Sequence, residues 1–237
     1  IKNNVLANAT NRLLSISTAT TSQVRGNYFG IGIDGKTTTG FTASGSGIAG
    51  NYGKGLTIGG PNTADRNYAG GMTGIGFGIN NLSTTGQVTY QNNSIGLGAD
   101  GTTATPNTGA GISSSNTIGS IIKGNTVVNN GSTGITVTSD NGSTIQGNYI
   151  GITPNGTPMK NKTSGITIAG TATNVLIGGT TAGQGNYISG NNTAVSDAGI
   201  NINSTTGVNG VTIQGNYIGV KPDGVTAAPN GYGIQIA

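Results

Sequence analysis

The chain has 237 residues, a formal net charge of +4 and only 7% charged residues, whereas 46 of its residues are glycine. Glycine lacks the every-third-residue spacing of collagen. The low charge and the abundance of Ile, Val and Thr argue against disorder and favour short strands broken by tight turns.

A short phrase built on asparagine recurs along the chain, and its clearest copies read Gln-Gly-Asn-Tyr-Ile-Gly at 146–151 and 214–219. Looser copies occur from the first residues onward. Eight asparagines hold the same place in the phrase: Asn4, Asn27, Asn67, Asn93, Asn125, Asn148, Asn186 and Asn216. Their spacing varies between about 23 and 40 residues, a range typical of solenoids, propellers and other repeat arrays.

A second phrase, Gly-Ile-x-Ile or close to it, alternates with the first. Its copies begin at Gly134, Gly165, Gly199 and Gly233, and earlier equivalents are assigned to Leu14-Ser15-Ile16, Gly47-Ile48, Gly78-Ile79 and Gly111-Ile112. Alternation of apolar and polar residues indicates strands, and no apolar stripe follows helical spacing. The unequal repeat lengths disfavour a propeller, because propeller blades are regular. A solenoid accommodates the extra residues as outward loops.

These patterns predict an all-β fold, a right-handed single-stranded parallel β-helix of about seven to eight coils, forming one domain over residues 1–237. Each strand is expected to pair with its counterpart in the next coil, about 4.8 Å away. Eight side chains are then expected to form files inside the tube: Ile135, Val137, Ile166, Ile168, Ile200, Ile202, Ile234 and Ile236.

The repeated asparagines are predicted to form an internal ladder at a coil corner. Asparagine tolerates the left-handed conformation of a sharp turn better than most residues. Amides stacked at one corner can donate and accept hydrogen bonds along the column. The alternative is a set of independent surface turns.

Two stretches, "VTIQGNYIGVKPDGVTAAPNGYGIQI" and "NVLIGGTTAGQGNYISGN", resemble the right-handed parallel β-helix repeat proteins of the pectate-lyase-like superfamily. The similarity is to the Asn/Gly/Thr-rich surface and secreted proteins of prokaryotes, covers the whole chain, and is strongest over residues 134–237. It implies a right-handed coil and an extracellular or cell-surface location. It implies no reaction, because the superfamily contains polysaccharide-cleaving enzymes as well as adhesins and fibres.

The chain offers few groups for chemistry. His is absent and Cys numbers 0, which excludes Ser–His and Cys–His nucleophile pairs. Asp34, Asp100 and Asp223 share one register, and a carboxylate pair across two coils is conceivable there. Each is followed by glycine, however, and Asn155-Gly156 fills the same register, so turns are predicted instead. No catalytic residue, metal site or cofactor is predicted.

A row of tyrosines directly follows the ladder asparagines: Tyr28, Tyr68, Tyr149, Tyr187 and Tyr217. Exposed on one side, this tyrosine row could contact a partner or a glycan. The alternative is that the rings simply pack at the coil corner.

These observations favour a non-catalytic extracellular structural protein, surface-bound or filament-forming, with a carbohydrate-binding adhesin as the alternative and a polysaccharide lyase or hydrolase disfavoured. The chain begins and ends in mid-coil, which suggests either a segment of a longer solenoid or a protomer that stacks head to tail. The expected partners are therefore copies of the chain or cell-surface glycans. Scattered basic residues argue against nucleic acid, and no apolar run is long enough for membrane insertion.

Overall fold

A computed structural model describes residues 1–17, 19–41, 45–51, 53–81, 86–194, 196–203, 205 and 207–237. Within these ranges the protein consists of short β-strands and one 3₁₀ turn at Thr63–Asp65. No helix in the described ranges is long and apolar enough to cross a membrane.

Three parallel sheets run the length of the molecule. The ladder sheet contains eight two-residue strands: β1 (Val5–Leu6), β5 (Tyr28–Phe29), β9 (Tyr68–Ala69), β12 (Ser94–Ile95), β15 (Thr126–Val127), β18 (Tyr149–Ile150), β21 (Tyr187–Ile188) and β24 (Tyr217–Ile218). The isoleucine sheet contains β2 (Arg12–Ile16), β6 (Ser46–Gly50), β10 (Phe77–Asn80), β13 (Ile112–Ser115), β16 (Ile135–Thr138), β19 (Ile166–Ala169), β22 (Ala198–Ile202) and β25 (Tyr232–Ile236).

The third sheet has seven strands: β4 (Gln23–Val24), β8 (Leu56–Gly59), β11 (Val88–Gln91), β14 (Ile121–Lys123), β17 (Thr144–Gln146), β20 (Leu176–Gly178) and β23 (Thr212–Gln214). A small extra pair joins β3 (Ala19–Thr20) to β7 (Gly53–Lys54). Within each sheet every strand pairs with its counterpart in the next coil, so the chain forms a parallel β-solenoid of about seven turns. The fold prediction is confirmed in this respect, and the hand of the coil stays a prediction.

The predicted apolar files occupy the inside of the solenoid. Ile135, Ile166 and Ile200 pair in register and are fully buried. Burying a side chain of this size stabilises the fold by about 1.5–3 kcal/mol. Ile234 and Ile236 continue the same files on β25 but are 46% and 73% exposed, because no described strand covers β25.

One predicted register is wrong by two residues. Phe77, rather than Ile79, pairs with Ile48 and Ile112, so Gly76-Phe77 is the equivalent of the Gly-Ile phrase in that coil. Side chains two positions apart lie on the same face of a strand. Both alignments therefore place apolar residues inside, and the sequence pattern alone does not separate them.

The asparagine ladder is confirmed. Each side-chain Nδ2 donates to the Oδ1 of the next asparagine, from Asn4 to Asn216, over 2.8–3.0 Å. The six inner asparagines are at most 1% exposed. Asn148 also donates to the carbonyls of Ile122 and Gln146, and its Oδ1 accepts from the Asn125 amide group and backbone N–H. Independent surface turns are therefore the wrong interpretation.

The physical role assigned to the ladder residue needs correction. In the described residues no ladder asparagine has a positive φ. In six of the eight cases the left-handed position is instead the residue before the asparagine, as at Gly124 (φ 64°), Gly147 (φ 63°) and Asn92 (φ 55°). Arg66 and Gly185, which precede Asn67 and Asn186, are the exceptions. In those six coils the preceding residue makes the corner, and the asparagine that follows it turns its amide into the core.

We expect Asn148→Ala to lower the free energy of unfolding by about 1–3 kcal/mol, because its buried hydrogen-bond partners would lose their match. Urea denaturation monitored by circular dichroism measures the change. Asn209→Ala, at an exposed site, is the matched control and should change stability by less than about 0.5 kcal/mol. Equal effects of the two substitutions would contradict the stabilising role of the ladder.

Candidate functional site

Four hairpins project from the solenoid between the ladder sheet and the isoleucine sheet. We name them hairpin A (residues 32–37), hairpin B (98–103), hairpin C (153–157) and hairpin D (221–226). In each, the first backbone N–H donates to the last carbonyl over 2.7–2.9 Å. They leave the coils that begin at Asn27, Asn93, Asn148 and Asn216, which are every second coil of the ladder.

The aspartates that share a register build these hairpins. Asp100 Oδ1 accepts from the backbone N–H groups of Thr102 and Thr103, and the Thr103 hydroxyl donates to Oδ2 over 2.6 Å. Asp34 and Asp223 are bound in the same way within their own hairpins. These bonds lower the pKa of all three carboxyls, that of Asp223 to about 2. The turn prediction is confirmed, and each carboxylate is engaged by its own loop.

The tyrosine row forms two stacks. Tyr28 and Tyr68 lie with ring centroids 5.3 Å apart and planes 10° apart. Tyr187 lies between Tyr149 and Tyr217 at 4.9 and 4.6 Å, with planes 10° and 14° apart. Four rings are half-buried and Tyr217 is 43% exposed, so the row both packs at the corner and presents ring surface to solvent. Burial raises the pKa of Tyr149, with a further contribution from Tyr187.

The two stacks are separated by two coils without an aromatic ring. Tyr68 pairs with Ser94, Ser94 with Thr126, and Thr126 with Tyr149. A cleft of about 200 Å³ lies at this level, lined by Arg66, Tyr68, Ser94, Thr126 and parts of hairpins B and C. We call this cleft the tyrosine gap.

A larger polar groove of about 470 Å³ lies across the adjacent corner. Gln91, Lys123 and Gln146 line it, and Pro61 and Gln184 border it. Arg66 connects the groove to the tyrosine gap, because its guanidinium donates to the carbonyl and Oδ1 of Asn92, and Asn92 lines the groove. Together these two depressions offer amide, hydroxyl and cationic groups beside an aromatic face.

A second asparagine ladder was missed in the sequence. It links five buried or half-buried amides over 2.9–3.1 Å: Asn107, Asn130, Asn161, Asn191 and Asn230. A signal existed, since Asn107, Asn130 and Asn161 each precede a Gly-Ile phrase by four residues. Met72 stands four residues before Gly76 and so holds the same place in the preceding coil. Its backbone N–H donates to Asn107 Oδ1, and the ladder of side-chain amides begins at Asn107.

A buried carboxyl group was also overlooked. Asp140 is 0% exposed and accepts hydrogen bonds from the Ser114 hydroxyl (2.7 Å), the Ser143 hydroxyl (3.0 Å) and the Thr117 backbone N–H (2.9 Å). Burial raises its pKa more than these bonds lower it. Asp140 in turn adds to the effect of burial in raising the pKa of Tyr90. The groups that contact Asp140 are hydroxyls and a backbone N–H, and none of them carries a counter-charge. Ionisation of Asp140 at higher pH therefore lowers the stability of the folded state.

The fold and these surfaces define a parallel β-solenoid with two internal asparagine ladders and laterally projecting hairpins. Comparison with protein-family models, with curated proteins and with solved structures found no match to this chain. The described residues contain no group of three or more acidic side chains that could hold a metal ion.

We expect Asp140→Asn to become progressively more stable relative to the natural chain as pH rises from about 3 to 7. A carboxyl whose folded pKa is raised favours folding below its unfolded pKa of about 3.9, and this contribution is lost as pH rises through the folded pKa. The amide keeps an acceptor for Thr117 and carries no charge. Urea denaturation across this pH range measures the difference.

Asp223→Asn is the matched control, and it should show the opposite trend. The lowered pKa of Asp223 means that its contribution is present above the unfolded pKa and is lost as pH falls toward about 2. A stability difference for Asp140→Asn that does not vary with pH would contradict the assignment of a raised pKa.

Proposed function

We propose that this protein is a non-catalytic structural β-solenoid that acts outside the cell and stacks head to tail with further copies of itself. The Asn/Gly/Thr-rich composition and the resemblance to pectate-lyase-like surface and secreted proteins of prokaryotes support the extracellular location. The observation that carries the proposal is the match between the two end coils.

The two end coils expose strand edges together with apolar side chains. On β25, Ile234 and Ile236 are 46% and 73% exposed. At the opposite end, Ile1 and Val5 are 56% and 42% exposed. Open edges of parallel strands pair readily with other strands, and burial of these side chains would favour association.

The two ends also complement each other through the ladder. Asn216 makes the backbone contacts of an inner ladder residue, to the carbonyls of Ile177 and Gln214, but has no described amide above it. Asn4 donates to Asn27, and its own Oδ1 accepts from no described residue. A second copy placed one coil spacing above would bring Asn4 Oδ1 over the Asn216 amide. In that register β1 would lie on β24, and β2 on β25.

We expect the chain to associate with rising concentration, and Ile236→Arg to suppress this association, because a charge on the end face would be buried at the junction. Val225→Arg is the matched control, since Val225 is 83% exposed on hairpin D rather than on the end face. Sedimentation velocity and electron microscopy at neutral pH measure the species present. A monodisperse monomer at all concentrations would overturn the stacking proposal.

We propose carbohydrate binding, in the manner of an adhesin, as a second function. It is favoured by the stack of Tyr149, Tyr187 and Tyr217, whose rings are partly exposed. Gln146 and Gly147, just before Tyr149 in the chain, line the polar groove. Pyranose rings have one apolar face and a rim of hydroxyls. They therefore match an aromatic surface that is bordered by hydrogen-bonding groups.

A glycan array probed with the labelled chain tests this second function. We expect binding to a subset of glycans and a loss of signal when the chain is unfolded beforehand. Val225→Arg adds a positive charge on hairpin D and is the control for non-specific charge effects, so it should bind the same subset of glycans as the natural chain. Absence of binding to every glycan on the array would contradict the adhesin proposal.

A further inference from the structure

The two rows on the lateral surface are interrupted at the same level. In the tyrosine row, Ser94 and Thr126 replace two rings, so Tyr68 and Tyr149 stand three coil spacings, about 14 Å, apart. The hairpin row is interrupted beside them. Hairpins A and B are joined by a hydrogen bond of 2.7 Å from Ala99 N–H to the Gly35 carbonyl, whereas the tyrosine gap lies between hairpins B and C.

Hairpin B covers a place that a ring occupies in other coils. A Cβ added at Gly35 of hairpin A would lie 3.4 Å from the Tyr28 ring, and one added at Gly224 of hairpin D would lie 3.6 Å from the Tyr217 ring. The equivalent glycine of hairpin B is Gly101, and a Cβ there would meet nothing within 4 Å. The equivalent glycine of hairpin C, Gly156, would meet Lys221 and Pro222 rather than a ring. Beside hairpin B, with Ser94 in the ring position, the cleft of about 200 Å³ is open.

The walls of the tyrosine gap combine one aromatic face with hydrogen-bonding groups. One face of Tyr68 stacks on Tyr28, which leaves the other face toward Ser94 and the gap. Thr126 is only 7% exposed, yet no hydrogen bond joins its hydroxyl to another described residue. The Ser94 hydroxyl donates to the Leu97 carbonyl over 2.9 Å and retains its capacity to accept. A ligand with several hydroxyls would satisfy both groups.

The charged side chains that line the tyrosine gap are Asp100 and Arg66, which are opposite in sign. The Asp100 carboxylate is bound by Thr102 and Thr103, and the Arg66 guanidinium is bound to Asn92. These two charges balance, so the lining of the gap has no net charge, and an uncharged ligand fits this site better than an acidic one. The volume of about 200 Å³ is below the roughly 300–1,000 Å³ of sites for drug-sized molecules, which suits a single ring.

We propose that the tyrosine gap binds one neutral pyranose unit of a glycan, stacked on Tyr68, covered by hairpin B and hydrogen-bonded to Ser94 and Thr126. This inference rests on the proposed carbohydrate binding and assigns it a place and a ligand class. The ring takes the position that a tyrosine takes in the coils of hairpins A and D.

The test titrates the full chain with neutral cellohexaose, maltohexaose and mannohexaose and with acidic hexagalacturonate, using saturation-transfer NMR and calorimetry. Ser94→Tyr would fill the proposed pyranose position with a ring stacked on Tyr68, and should abolish binding of the neutral oligomers. Tyr68→Ala should weaken it at least ~10-fold, because the stacking surface is removed. Thr212 and Tyr232 lie outside the gap. The Thr212→Tyr and Tyr232→Ala variants are therefore the matched controls, and they should bind the oligomers as the natural chain does. Circular dichroism melting curves verify that each variant is folded.

The possible results separate this inference from the function on which it rests. Unchanged binding by folded Ser94→Tyr and Tyr68→Ala would overturn the gap as the site and leave carbohydrate binding intact. Tyr217→Ala is titrated in parallel, and loss of binding in this variant alone would place the glycan on the stack of Tyr149, Tyr187 and Tyr217 and would also overturn the inference. Preference for hexagalacturonate would overturn the neutral ligand class. If neither these oligomers nor any arrayed glycan binds the natural chain, the proposed carbohydrate binding fails as well.

Discussion

The buried hydrogen bond between stacked asparagine amides is the interaction on which the rest of the structure depends. An amide without partners in the core would cost about 1–3 kcal/mol, so each coil must meet its neighbour at the distance and register that satisfy the column. Asn148 illustrates this constraint, because its amide group and Oδ1 together contact the coils on both sides. Once the column is satisfied, the strands on either side of it are fixed in register. Loop length can then vary without disturbing the core.

The second ladder extends the same constraint to the base of the hairpins. In the coil of Asn148 the chain passes through β18 and hairpin C and returns to the core at Asn161. The two-residue strand and the hairpin are thus held at both ends by buried amides. The tyrosines lie on these short strands, so the frame explains why their rings stay nearly parallel. Sites built on a rigid frame of this kind can diverge without altering the fold.

The two proposed functions use separate parts of this frame. Stacking uses the end coils, where the ladder and the apolar files meet solvent at Asn4, Asn216 and Ile236. Carbohydrate binding uses the lateral surface, where Tyr68 borders the tyrosine gap. A filament of stacked copies would repeat the tyrosine gap along its side. Weak binding at each gap would then combine into stronger attachment through multivalency.

The sequence by itself determined the solenoid, the first ladder and the hairpin turns. These features rest on local patterns that recur, such as the asparagine phrase, the Gly-Ile phrase and the Asp-Gly dipeptides at Asp34, Asp100 and Asp223. The second ladder was within reach of the same reasoning, but its irregular spacing at Asn191 and Asn230 obscured it. The register at Phe77 could not be predicted from the sequence, because a shift of two residues keeps the same face of the strand inside.

Only the tertiary structure decided which residues meet across coils. The absence of tyrosine at Ser94 and Thr126 is visible in the sequence, but its meaning depends on hairpin B, which covers the vacant place. The burial of Asp140 among hydroxyls likewise depends on residues from neighbouring coils, Ser114 and Thr117. The physical reason is that coil stacking brings together residues 23 to 40 positions apart in the chain, and this separation changes with the length of every intervening loop.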